Sequence, residues 1–183
     1  MWTYNYTDEL YHYGVPGMKW GQRKKAEKLY KKVGKQRGIG DYWKDQGTES
    51  ARKYKSAAAI LEAKAKQYEA KGKVVKAEAS RQAAKKLNVK AADARRKYDE
   101  TALQYYNKAS RIEDKVSKYA TKKRVDIGKD RVDSILKSSK LKSYNETKSW
   151  EDSKKMAKYK NMVNSFRNGN ASTNSSVSMY DYI

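Results

Sequence analysis

Apolar and small residues recur along this chain at alternating steps of four and three. The first clear run is Tyr98, Ala102, Tyr105, Ala109, Ile112, Val116 and Tyr119, the signature of a helix with one buried seam. Upstream, Tyr54, Ala58, Leu61, Ala65, Tyr68, Gly72, Val75 and Ala79 keep the same rhythm, with Gly72 its weak member. The spacing predicts two long amphipathic helices whose seams are built from Ala and Tyr. Small seam residues let backbones approach closely, and Tyr fills the gaps with its hydroxyl at the rim. Asn88, within Leu87-Asn88-Val89, is the expected turning point of an antiparallel hairpin. The competing geometry is one continuous rod of about 75 residues that dimerises through the same heptads.

Shorter helices are expected to flank this pair. Ala26, Leu29, Tyr30 and Val33 mark a basic helix over 23–37, expected to end near Gly34 to Gly40. Gly47-Thr48-Glu49 offers an N-cap and a first-turn acid for the helical body, expected over 48–167. Gly128 should interrupt the second long helix, and Ser138 to Tyr144 reads as a connector. Asn145 then caps a last helix bearing Met156, Tyr159, Val163 and Phe166. Residues 168–183 form a Ser/Asn tail without Lys or Arg. Residues 1–22 form an aromatic arm and a Gly/Trp hook: Trp2, Tyr4 and Tyr6 alternate as on one face of an extended strand, and Asp8 and Glu9 are the only charges before Lys19. The expected fold class is all-α, an extended helical hairpin or coiled coil with short flanking helices and irregular terminal arms.

Composition narrows the function classes. Leu, Ile, Val and Phe account for only 24 of 183 residues, too little large aliphatic surface for a broad enzyme-like core. No apolar run approaches the roughly 18 residues of a membrane span, and no signal-peptide core opens the chain. The chain has no Cys, which removes disulfides, thiolate metal sites and Cys nucleophiles and fits a reducing cytoplasm.

One short segment stands out. Residues 12–24 read His12-Tyr13-Gly14-Val15-Pro16-Gly17-Met18-Lys19-Trp20-Gly21-Gln22-Arg23-Lys24. Three Gly and the sole Pro within eight residues predict a tight non-helical turn, with Trp20 as an apolar peg and Lys19, Arg23 and Lys24 as a cationic end. The segment resembles a motif of structural and capsid-associated proteins of tailed bacteriophages, roughly His-Tyr-Gly-Val-Lys-Gly-Met-Lys-Trp-Gly-x-Arg-Arg. His12, Gly14, Gly17, Met18, Lys19, Trp20, Gly21 and Arg23 match it, and Pro16 stands where Lys is usual. The resemblance implies a virion context, with assembly in the bacterial host cytoplasm and other virion proteins as partners. Residues His12, Gly14, Gly17, Met18, Lys19, Trp20 and Gly21 are the expected docking element.

Catalytic chemistry finds little support. His12 is the only histidine and sits in the Gly-rich hook, and no zinc-ligand set or phosphate-cradling loop is present. Neither a metal nor another cofactor is expected. Carboxylate neighbours such as Glu113-Asp114 and Glu151-Asp152 do not share a helix face. The chain is therefore expected not to be an enzyme.

The charge is the strongest signal. Lys and Arg number 43 against 21 acids, a formal net charge of +22. Between Lys19 and Arg37 lie nine basic residues and one acid, Glu27. Self-repulsion on this scale opposes compaction unless a polyanion or acidic partner neutralises it. Expected polyanion-binding residues are Arg23, Lys24, Lys25, Lys28, Lys31, Lys32, Lys35 and Arg37, then Arg95 and Arg96, then Lys122, Lys123 and Arg124. Their density matches a phosphate backbone read without base recognition. The leading expectation is a virion protein docked through its N-terminal arm, facing packaged DNA or an acidic protein surface, without membrane contact and able to self-associate. The alternatives are a free sequence-independent nucleic-acid-binding protein and a capsid assembly scaffold or adaptor.

Overall fold

A computed structural model describes residues 20–167. The N-terminal arm, the hook as far as Lys19 and the Ser/Asn tail lie outside the described residues. Three long helices, and no strand, make up the described part: α1 Trp20–Ala70, α2 Val74–Lys123 and α3 Lys129–Arg167. The fold is all-α, as the heptads require. One compact unit extends to Asn145 and a second begins at Glu146.

Within the first unit α1 and α2 form an antiparallel hairpin. Its turn is Lys71-Gly72-Lys73, with Gly72 left-handed at φ +66°. The Gly72 amide donates to the Glu69 carbonyl at 2.8 Å and the Lys73 amide to that of Tyr68 at 2.8 Å, a glycine C-cap that satisfies the last carbonyls of α1. Asn88 is not the turn; it lies inside α2. Gly72 falls in phase with the upstream heptads, and that coincidence masks the stop. Beyond it the rhythm restarts in a new phase, so Val75 and Ala79 are exposed while Ala77 is buried.

The seam is made of small residues spaced by seven. On α1 the buried positions are Ala26, Val33, Gly40 and Gly47, then Ala51, Ala58 and Ala65; on α2 they are Ala77, Ala84 and Ala91, then Ala102, Ala109 and Val116. Half-buried Tyr54, Leu61, Tyr68, Tyr98, Tyr105, Ile112 and Tyr119 occupy the alternate positions, as the 4-3 pattern predicts. Each helix carries one extra four-residue step, Gly47 to Ala51 on α1 and Tyr98 to Ala102 on α2. Such an insertion locally unwinds a coiled coil. Because the two insertions face each other, the seams stay matched above and below them.

The glycines of α1 correct the sequence reading. α1 neither ends at Gly34–Gly40 nor starts at Gly47; it is continuous from 20 to 70. Thr48 is no N-cap, and its hydroxyl donates back to the Lys44 carbonyl at 3.1 Å. These glycines instead mark where other helices come close. A Cβ at Gly34 would meet the Leu136 carbonyl at 2.9 Å, one at Gly38 would collide with the Lys140 carbonyl, and one at Gly40 would meet the Tyr106 ring at 2.8 Å.

α3 runs alongside α1 in the same direction, since Glu27 pairs with Arg131, Gly34 faces Ser139 and Asp45 accepts from Tyr144. Ser138 to Tyr144 is thus no connector, and Asn145 caps nothing; both belong to α3. Ser143 is buried and donates to the Lys35 carbonyl at 3.0 Å. The break expected at Gly128 is present. Arg124 ends α2 in a left-handed conformation, Gly128 has φ +76°, and the Gly128 amide donates to the Asp126 carboxylate at 2.8 Å. Val125 and Ile127 of this link close over Ala26, with Tyr30, Tyr119 and Val132 around them.

In the second unit, residues 146–167 continue as helix. Trp150, Met156, Tyr159 and Val163 are exposed there, and Lys154 Nζ sits 3.1 Å from the centre of the Trp150 ring.

Candidate polyanion-binding surface

The N-terminal third of α1 is gripped on two sides. Lys25 lies over the Tyr119 ring of α2 at 5.1 Å, and Arg37 pairs with Glu113 of α2 at 2.7 Å. Glu27 and Gly34 turn towards α3. At 3.6 residues per turn, Lys24, Lys28, Lys31 and Lys35 fall on the remaining face, opposite buried Ala26 and Val33. All four are exposed. Lys32 is exposed beside this line, as is Lys25 on the edge nearest α2.

Several acids of this unit sit where helices meet. Glu27 receives Arg23 at 3.9 Å and Arg131 at 3.3 Å. Asp41 receives Lys140 at 2.6 Å, and Glu69 receives Arg81 at 2.6 Å across the hairpin turn. On the outer surface Arg52 pairs with Glu49, Arg95 with Asp99 and Arg96 with Asp93, at 3.2–3.6 Å. Arginines therefore supply most of these ion pairs, while among the described residues Lys28, Lys31, Lys32 and Lys35 have no acidic partner. The cross-helix pairs Arg37–Glu113, Arg81–Glu69 and Arg131–Glu27 were not anticipated from the sequence, because they depend on which residues face each other in the folded chain.

Asp41 links all three helices. One carboxylate oxygen accepts from the Tyr106 hydroxyl of α2 at 2.7 Å, and the other pairs with Lys140 of α3. One turn on, the Tyr144 hydroxyl donates to Asp45 at 2.8 Å, and the Tyr144 ring meets buried Tyr42 edge to face. Burial, reinforced by the hydrogen bond to Asp41 and by nearby acids, pushes the Tyr106 phenol well above its usual range. Burial and Asp45 move Tyr144 the same way. These tyrosines hold the helices together as neutral donors.

The other expected residues are scattered. Arg95 and Arg96 flank a shallow open groove on α2, with Lys44, Leu103 and Tyr106 also at its wall. Lys122 and Lys123 occupy the last turn of α2, where cations interact favourably with the helix dipole, and Arg124 is its cap. They are not brought together with the α1 lysines by any described contact. Of the docking element, His12 to Lys19 lie outside the described residues. Trp20 and Gly21, expected in the non-helical hook, instead open α1, three residues before the helix start expected at Arg23. Gly21 is exposed, with nothing near the place a Cβ would take. Among the described residues no acid or histidine cluster could hold a metal ion, and no helix is long and apolar enough to cross a membrane.

Residues 3–27 match the model of a family of unknown function (DUF7211), a stretch that contains the hook and the start of the lysine line. No curated protein and no solved structure matches the chain.

Proposed function

We propose that this chain is a non-enzymatic structural protein of a tailed-phage particle. Residues 12–21 attach it to other virion proteins, and its basic helices face packaged DNA. The observation that carries the DNA-facing part is the placement of charge: Glu27, Asp41 and Glu113 are engaged between helices, while the exposed Lys28, Lys31, Lys32 and Lys35 have no acidic partner among the described residues. Phosphates would release condensed counterions on meeting such a face, a gain that needs no base recognition. The virion part rests on the resemblance of residues 12–24 to the phage motif.

The test is the amount of the protein in purified particles before and after the genome is released. Presence in intact particles is the expected result, with the fraction that leaves reporting how firmly the DNA rather than the shell holds it. Absence from particles would overturn the reading in favour of an assembly scaffold or a free nucleic-acid-binding protein.

A further inference from the structure

The surplus charge could act as a diffuse cloud, or through one defined grip. Resting on the DNA-facing reading above, we infer that the grip is the α1 line Lys24, Lys28, Lys31 and Lys35, with Lys25 and Lys32 beside it, and that its ligand is the backbone of duplex DNA. Arg37, Arg95 and Arg96 are not part of it.

Availability is the first argument. Among the described residues Lys28, Lys31, Lys32 and Lys35 have no acidic partner and are exposed, whereas Arg37, Arg95 and Arg96 are held by Glu113, Asp99 and Asp93. A phosphate meeting an arginine of the second group must first compete with a carboxylate; at Lys28, Lys31, Lys32 and Lys35 it has no described carboxylate to displace.

Geometry is the second. From Lys24 to Lys35 the helix rises about 16 Å, and its cations recur once per turn, roughly 5 Å apart. A duplex presents one charge per 1.7 Å of axis, so about ten phosphates lie along that length. The helix is held by α2 through Lys25–Tyr119 and Arg37–Glu113, and by α3 through Glu27–Arg131 and Ser143–Lys35 carbonyl. The line therefore stays straight before any ligand arrives, which lowers the ordering cost of binding.

Third, single strands are gripped by stacking their bases on exposed aromatic rings. From Arg23 to Asn145 every Tyr and Trp is buried or half-buried. Tyr30, the ring nearest the line in sequence, packs against the Ala26 cluster. Phosphates are all that this face can hold, and the duplex offers them at the higher density.

The experiment uses the full chain and a 30-base-pair duplex, with the affinity measured across a range of NaCl concentrations. Substituting Lys28, Lys31 and Lys35 by Gln removes three charges while keeping good helix formers. The slope of log affinity against log salt should become shallower by roughly 3, at about 0.9 per phosphate contact. Substituting Arg52, Arg95 and Arg96 by Gln removes the same charge and should leave the slope within about 1 of the parent. Circular dichroism establishes that both variants remain helical. Equal loss in the two triple variants would overturn the grip while leaving DNA binding intact. Tighter binding of a single strand of equal length would overturn the duplex assignment. No binding by the parent chain even at low salt would overturn the inference together with the DNA-facing reading beneath it.

Discussion

Gly47 of α1 lies directly against Tyr98 of α2: a Cβ at position 47 would stand 2.8 Å from the Tyr98 Cβ. Both residues sit at the four-residue insertions of their helices, and the Tyr98 ring stacks on Trp43 at 5.9 Å with an interplanar angle of 18°. Glycine permits the close approach, and the tyrosine covers the gap on one side. In an exposed helix, replacing Gly by Ala stabilises by about 1 kcal/mol. Here the obstructing atom is itself a Cβ, which cannot swing away as a side-chain tip would. Gly47→Ala should therefore destabilise the hairpin by about 1–3 kcal/mol, the cost of overpacking. Urea denaturation of the variant measures this, and an increase in stability would show that the seam yields.

A second close approach joins α1 to α3. Gly34 and Gly38 face Ser139 and Ser143, so small residues at matching four-residue intervals meet across the interface. At Gly38 the obstruction is the Lys140 carbonyl, a backbone atom, with the Ser143 Cβ at 3.1 Å. Gly38→Ala should lose at least 1 kcal/mol and expose the amides of 131–144 to faster hydrogen exchange. Gly21→Ala meets nothing within 4 Å and should be neutral or slightly stabilising. Equal effects from the two substitutions would contradict helix docking through Gly38.

The alternation from Tyr98 to Tyr119 was enough to place the second half of α2, because buried Ala102, Ala109 and Val116 and half-buried Ile112 fit a single helix face. The glycines could not be read that way. A glycine inside a helix looks like a stop because its own propensity cost is visible in sequence, whereas the partner whose approach offsets it is not. Ser139 and Ser143 posed the same difficulty: polar and small among lysines, they resemble a linker until α1 is laid against them. The turn at Gly72 was hidden by an accident of phase, and the true restart at Ala77 lay two residues from a plausible false one at Val75. For the candidate surface, the concentration of Lys and Arg before Arg37 was legible. That Arg37 would be engaged depended on Glu113, which only the folded chain brings to it.

Asp41 accepts from Tyr106 and pairs with Lys140, so removing its carboxylate releases contacts to two helices at once. Asp41→Ala should cost about 1–2 kcal/mol, given partial exposure. Alkaline pH probes the same junction. The phenols of Tyr106 and Tyr144 are raised in the folded chain from the ordinary 10.0 by burial and by their acidic acceptors. The unfolded chain therefore releases these protons first as pH rises. Their contribution is complete below pH 10, and declines above it as the pH passes towards the folded values. Lysine deprotonation, which relieves repulsion, acts in the opposite direction, so the parent must be compared with Tyr106→Phe/Tyr144→Phe at each pH. The parent's stability should fall more steeply than that of the double variant above pH 10, and parallel curves would refute the neutral-donor role.

The remaining prediction concerns the net charge of +22. The seam buries mainly alanines, each a small apolar area, so the hydrophobic gain per turn is modest. Against it stands repulsion among the lysines, most concentrated over residues 24–35. Raising NaCl from 10 mM to 0.5 M shortens the Debye length from about 30 Å to about 4 Å. The few ion pairs that screening weakens are outnumbered by the repulsions it removes, so the melting temperature should rise with salt. A polyanion should do more, because it binds the folded face and not merely the average charge. At a concentration of 100 times its dissociation constant, duplex DNA should stabilise the fold by about 2.7 kcal/mol, provided the unfolded chain does not bind. The unfolded chain is equally basic, however, so the gain measures how much the folded arrangement of lysines adds to charge alone. Lys28→Gln, Lys31→Gln and Lys35→Gln together should raise the melting temperature at 10 mM NaCl and diminish the further increase given by DNA. A variant that melts lower than the parent at low salt would mean that these lysines stabilise the helix through contacts of their own, rather than opposing it through repulsion.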